Sequence, residues 1–146
     1  MTDRLPAPSR DSYAWRIPLT TRWMDNDVYG HVNNVVYYAF FDTVINRYLI
    51  EKGGLDIHEG TIIGLAVETS CTFAGSVKFP DALEAGLRVA HLGTSSVRYE
   101  VGIFVQGDVA ARAHGKFTHV FVDRTTRRPV PIEGRLREAL AEIVRG

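Results

Sequence analysis

Two carboxylates, an imidazole and three side-chain amides crowd into the ten-residue stretch DNDVYGHVNN at 25–34, as Asp25, Asn26, Asp27, His31, Asn33 and Asn34. Acyl transfer needs a carboxylate to attack or to activate water, and hydrogen-bond donors where an oxyanion develops. Asp27 fits the first need, as nucleophile or general base. The second lies about seven positions on, where Val35 opens a long apolar run: the first N–H groups of a helix point outward and carry partial positive charge. On this reading the Asn34 N–H polarises an acyl carbonyl and Gly30 lets a substrate approach the main chain. His31 and Asn33 orient the reacting groups. The same residues also suit plain structural work, with Asp25 and Asp27 as turn carboxylates, Asn33 as a helix N-cap and His31 as a satisfied polar residue.

The elements that must hold this stretch follow from periodicity. Residues 15–23 alternate as a first strand, with Pro18 favouring an edge or a bulge. From 35 to about 52 apolar residues occupy nearly every helical face, which predicts a buried helix wrapped by a sheet, ended by Gly53 and Gly54. Period two then returns in 62–73, 83–91, 97–105 and 109–122. In the first of these, Ile63, Leu65, Val67, Cys71 and Phe73 share a face that Glu68 leaves. Residues 133–144 read as a short amphipathic helix, with Leu136, Leu140, Ile143 and Val144 on one side. One strand, one long helix and then four strands without intervening helices predict an α+β fold with an antiparallel sheet around a central helix.

The bulk properties narrow the class. A chain of 146 residues, 45% hydrophobic, predicts a single domain over 1–146, with 1–14 a flexible lead-in. Seventeen basic and seventeen acidic residues cancel, so charge predicts neither nucleic acid nor an anionic membrane as partner. The apolar run at 35–41 falls far short of the ~20 residues that span a bilayer. One cysteine excludes an internal disulfide, and with no apolar segment at the start the expected location is cytoplasmic. Cys71 shares an apolar strand face, the usual place of an inert thiol. Of the five histidines, His114 and His119 fall on opposite faces of one strand and His58 and His91 in unrelated segments, so no metal site is expected.

The block TRWMDNDVYGHVNNVVYYAFFD, residues 21–42, resembles the signature of the 4-hydroxybenzoyl-CoA and YbgC/FadM-type hotdog thioesterases, with a looser second block in FAGSVKFPD at 73–81. The resemblance implies a hotdog fold, hydrolysis of an acyl-CoA to a carboxylic acid and CoA, and a catalytic aspartate at Asp27. It implies no cofactor, coenzyme A being part of the substrate, and a homodimer or homotetramer with the site at a subunit interface. HVNN is also similar to plant acyl-ACP thioesterases, although Tyr29 stands where those carry asparagine. Some hotdog thioesterases place an acid on the strand after the helix, here Glu68. The helix aromatics, Tyr37 among them, are candidates for an acyl pocket. Contacts to the CoA phosphates are expected at the turn before the fourth strand, with Ser96 and Arg98, or after the last strand, with Arg124, Arg127 and Arg128. A non-catalytic acyl-CoA or acyl-carrier binding protein and a hotdog hydratase are the rival readings.

Overall fold

A computed structural model describes residues 6–145 of the chain. Five strands form one antiparallel sheet: β1 Trp15–Thr20, β2 Ile62–Phe73, β3 Ala82–Leu92, β4 Ser96–Val105 and β5 Ala113–Asp123, in spatial order β1-β3-β4-β5-β2. Helix α1, Asn34–Glu51, lies on the concave side, and α2, Gly134–Glu142, closes one end. This is the hotdog arrangement. Pro18 has no N–H to give a second neighbour, and β1 is an edge strand, bonded to β3 alone. The sheet is shorter there than alternation suggested: after Thr20 the chain makes a 3-10 turn over Trp23–Asp25 instead of continuing the strand to Trp23.

The core forms where one stripe of α1 meets the inner face of the sheet. Tyr37, Phe40, Phe41, Val44, Ile45, Tyr48 and Leu49 recur at helical spacing and are buried. They meet Leu83, Ala85, Leu87 and Val89 of β3, Val97, Tyr99, Val101 and Ile103 of β4, and Phe117 and Phe121 of β5, members of one buried cluster. Within one chain the sheet covers only this stripe. The opposite side of α1, with Val35, Asp42, Thr43, Arg47 and Ile50, is exposed.

Counting by twos fails in β2. Its register against β5 slips between Ala66 and Glu68, leaving Val67 as a bulge that is 58% exposed. Gly64 and Ala66 pair with the inward Phe121 and His119, and beyond the bulge Thr69, Cys71 and Phe73 pair with the inward Phe117, Gly115 and Ala113. Ile63 and Leu65 therefore lie on the face opposite Cys71 and Phe73, a correction to the expected shared face. An inserted residue exchanges the two faces of everything after it.

The expected flexible lead-in is also corrected for residues 9–14; residues 1–5 lie outside the described residues. Ser9 bridges Ala110, Arg10–Ser12 make a 3-10 turn, and Tyr13 is 2% exposed. Its ring lies across Gly86 and Gly102, which face each other on β3 and β4. A Cβ on either glycine would come within 2.6–2.7 Å of Tyr13 atoms, so these strands must be bare there. Arg88 sits 4.8 Å over the same ring.

Helix α2 packs rather than frays. Leu136, Ala139 and Leu140 are buried, the Tyr48 hydroxyl donates to the Ala139 carbonyl at 2.6 Å, and residues 143–145 bond to Val89 of β3.

Candidate active site

The stretch from Asp25 to Asn34 is a knot of backbone bonds ahead of α1. Asp25 is 1% exposed; its carboxylate accepts the Arg22 N–H at 2.7 Å and the Arg22 guanidinium at 2.9 Å, and its carbonyl accepts the Asn33 N–H at 2.9 Å. This carboxylate is therefore spent on holding the loop. Asp27 stands at the tip, half-buried, in a turn where Gly30 N–H returns to the Asp27 carbonyl at 3.0 Å and Asp27 N–H donates to the His31 carbonyl at 2.9 Å. One carboxylate oxygen of Asp27 accepts the Tyr29 N–H at 2.8 Å, an Asx turn. Gly30 has φ +83°, the left-handed region that glycine enters without strain, and nothing lies within 4 Å of where a Cβ would sit.

Asn33 caps α1, its side-chain oxygen accepting the Val35 N–H at 3.0 Å and its carbonyl the Val36 N–H at 2.9 Å. Asn34 is the first helical residue, and its N–H is among the donors a helix leaves without an intrahelical acceptor. A carbonyl placed there meets a fixed donor at the positive end of an eighteen-residue helix.

The second block, 73–81, is bonded directly to this knot. Val32 N–H donates to the Val77 carbonyl at 2.9 Å, Phe79 N–H to the Asn26 side-chain oxygen at 2.9 Å, and the Thr21 hydroxyl to the Asp81 carbonyl at 2.9 Å. Val77 N–H donates to the Tyr37 hydroxyl at 3.3 Å. Tyr37 is 2% exposed, edge-on to Phe73 at 5.0 Å, and burial raises the pKa of its phenol. This residue, expected at an acyl pocket, also joins the helix to the 73–81 loop. Beside the knot, His31, Ser76, Lys78, Asp81, Val105 and Arg112 line a cleft of about 330 Å³.

The structure thus brings Asp27, Gly30, His31, Asn33 and Asn34 together and leaves the other candidates apart. Glu68 is exposed in the middle of β2, next to the bulge, on the outer face. Ser96 and Arg98 begin β4, whose other end, Val105, lines the cleft by His31. A ten-residue strand separates them, roughly 30 Å. Arg124 is at that same far end, where its guanidinium donates to the Gly60 carbonyl at 2.8 Å and the Ile57 carbonyl at 2.6 Å and so pins the 56–61 loop. As a same-chain partner of Asp27, none of the three is in reach, because antiparallel strands return to the site only at alternate ends. Sequence reasoning missed Lys78 and Arg112. The second block pointed to the region of Lys78, whereas Arg112 comes from the β4–β5 connection and had no signal.

Among the described residues no group of three or more His, Cys, Asp or Glu side chains could hold a metal, and no helix is long and apolar enough to cross a membrane. Cys71 is half-buried, and desolvation pushes its thiol up to about 11, away from thiolate chemistry. His119 is 3% exposed, boxed edge-on by Tyr99, Phe117 and Phe121 at 5.2–5.7 Å, with the Tyr99 hydroxyl 3.0 Å from its Nδ1. Desolvation lowers its pKa to about 4, so it stays neutral.

Among solved structures, the PA5185 protein from Pseudomonas aeruginosa is 56% identical over 95% of this chain and 97% of that one, with a TM-score of 0.94. PA2801, a putative thioesterase from the same organism, is 25% identical over 86% of this chain and 96% of that one, with a TM-score of 0.80. Slr0204, a 1,4-dihydroxy-2-naphthoyl-CoA thioesterase from Synechocystis, shares the fold at 15% identity, covering 86% of this chain and 94% of its own, with a TM-score of 0.78. No curated protein matches. The family that matches, over residues 21–140 and so across both loop blocks, α1, strands β2 to β5 and most of α2, is the thioesterase-like superfamily, and this chain belongs to it.

Proposed function

We propose that this protein hydrolyses acyl-CoA thioesters to a carboxylic acid and free CoA, with Asp27 as the reacting carboxylate. The observation that carries the reading is the pairing, on one backbone knot, of the half-buried Asp27 carboxylate with the N–H of Asn34 at the start of α1, which has no acceptor among the described residues. The thioester carbonyl would accept the Asn34 N–H, whose position at the helix N-terminus favours negative charge as the tetrahedral centre forms. Asp27 either attacks the carbonyl carbon, giving an anhydride that water then opens, or takes a proton from the attacking water. The thiolate of CoA leaves in both cases. No cofactor enters either route. Gly30 leaves open space beside the turn for the substrate.

Membership of the thioesterase-like superfamily supports thioester hydrolysis, and the CoA thioester named for the Synechocystis relative makes acyl-CoA the first carrier to test. We further propose that two copies join through β2, a twelve-residue edge strand bonded only to β5. Pairing there would cover the exposed Val67 and Phe73 and carry groups of a second chain toward Asp27.

One observation favours a second reading, an acyl-CoA binding protein without chemistry: the Asp27 carboxylate already accepts the Tyr29 N–H, as a purely structural turn residue would. Thiol release from a panel of short, long and aromatic acyl-CoAs separates the two. Release by the natural protein that is lost in Asp27→Asn supports hydrolysis at this loop; full turnover by the variant overturns the role of Asp27. Tight acyl-CoA binding with no release supports the second reading.

A further inference from the structure

We infer that the cleft between His31, Lys78 and Arg112 grips the phosphate-bearing end of the substrate's carrier arm. The inference rests on the thioesterase reading above and moves the phosphate contacts from Ser96, Arg98 and Arg124 to the end of the sheet that holds Asp27.

The placement is fixed by backbone. Lys78 lies between Val77 and Phe79, and both neighbours are bonded to the Asp27 knot, through Val32 and Asn26 respectively. Its own N–H is tied to the Asp81 carboxylate at 3.0 Å. Arg112 reaches the cleft from the β4–β5 connection and is held there by two bonds, Nε to the Asp108 carboxylate at 2.8 Å and Nη1 to the Ser76 carbonyl at 3.0 Å. Its Nη2 donors remain unspent among the described residues. His31, exposed, forms the third side, three residues before Asn34.

The charges sort cleanly between structure and ligand. Asp108 is committed to Arg112 and Asp81 to the Lys78 N–H, whereas the Lys78 ammonium forms no ion pair among the described residues. Lys78, Arg112 with its half-free guanidinium, and His31 thus line one space of about 330 Å³, together with Asp81, whose carboxylate is already bonded. A phosphate is the group that takes charge-assisted bonds from all three. From Asn34 back to His31 the chain spans at most about 11 Å, and the side chains extend the reach, a span that a pantetheine arm between thioester and phosphate can bridge.

The chemistry is common to coenzyme A and to a phosphopantetheine-bearing carrier protein. The test uses the acyl-CoA that the natural protein cleaves fastest, the acyl-pantetheine with the same acyl group and no phosphate, and Lys78→Glu beside Lys78→Met, which keeps the length of the stem. The ratio of kcat/KM for acyl-CoA over acyl-pantetheine is expected to fall about tenfold in Lys78→Glu, and less in Lys78→Met. An unchanged ratio overturns the inference. Calorimetric titration of CoA itself gives a reading that does not depend on turnover. If no thioester is cleaved, the proposed function fails on its own, and the phosphate grip still stands or falls on whether Lys78→Glu weakens CoA binding relative to the natural protein. A loss with both acyl-CoA and an acylated carrier protein assigns the cleft to the arm's own phosphate. A loss with acyl-CoA alone assigns it to the nucleotide end.

Discussion

The two ends of α1 are built to opposite rules. At its N-terminus the polar groups are fixed by backbone bonds and left open: Asp27 half-buried, His31 and Asn34 exposed, Gly30 beside empty space. At its C-terminus the apolar groups are sealed. Tyr48 and Leu49 are at most 2% exposed, α2 lies over them, and a Cβ at Gly53 would strike Leu136 at 2.8 Å. A site must present groups whose bonding is incomplete, and that is tolerable only if the scaffold's stability is secured elsewhere. Here one helix carries both jobs, one at each end.

If this division is right, substitutions at the open end should change rate with little change in stability, and those at the closed end the reverse. Asp27→Asn keeps an oxygen for the Tyr29 N–H, so it should lower kcat/KM by about 10²- to 10⁴-fold while the unfolding free energy stays within about 0.5 kcal/mol. Enzyme assay and urea melts on one preparation check both halves. Leu140→Ala, at a fully buried position of α2, should cost about 3 kcal/mol in the melt and leave kcat near the natural value. A large fall in kcat for the folded variant would mean that the ends are coupled.

The closed side of the sheet also carries the acid sensitivity. His119 is held at about 4 against an ordinary value near 6.5, so the unfolded chain takes up a proton between these values that the folded chain refuses. Its contribution to stability is complete above pH 6.5 and is lost as pH falls toward 4, a change on the order of 3 kcal/mol. His119→Gln, which keeps a partner for the Tyr99 hydroxyl, should flatten melts compared at pH 7 and pH 4.5. The smallest effect sharpens the open end: Gly30→Ala forces alanine to φ +83° and should cost about 1 kcal/mol, and a local rather than global loss of amide protection around 27–32 would place that cost in the turn.

The open end was legible in the sequence because it is local. Asp27, Gly30, Asn33 and Asn34 lie within one turn and one cap, where chemistry follows from spacing, and β2 runs over the same residues as its alternation. What could not be read depends on meetings between distant segments. Nothing local announces that Val67 is an extra residue in β2, since that is defined by its partners on β5. Tyr13 looked like part of a tail because the two glycines that receive it lie on β3 and β4. That Arg98 and Arg124 lie a strand length from Asp27 of the same chain follows only from strand direction, and Arg112 comes beside His31 only where the 105–113 connection meets the 76–81 loop.

The order of strands across the sheet also sets a schedule for folding. The three inner strands, β3, β4 and β5, are hairpin neighbours joined by short connections, whereas each edge must find a distant partner: Trp15 lies beside Leu87, and Ile62 beside Asp123. Closing such loops costs entropy before any contact repays it, so the inner meander is the natural nucleus and β1 and β2 dock late. Substitutions at Val101 or Ile103 should therefore slow refolding, while those at Ile17 or Ile62 should chiefly speed unfolding. The Asp27 loop hangs between the late strand β1 and the helix that precedes β2, so the residues proposed to do the chemistry should be among the last to reach their places.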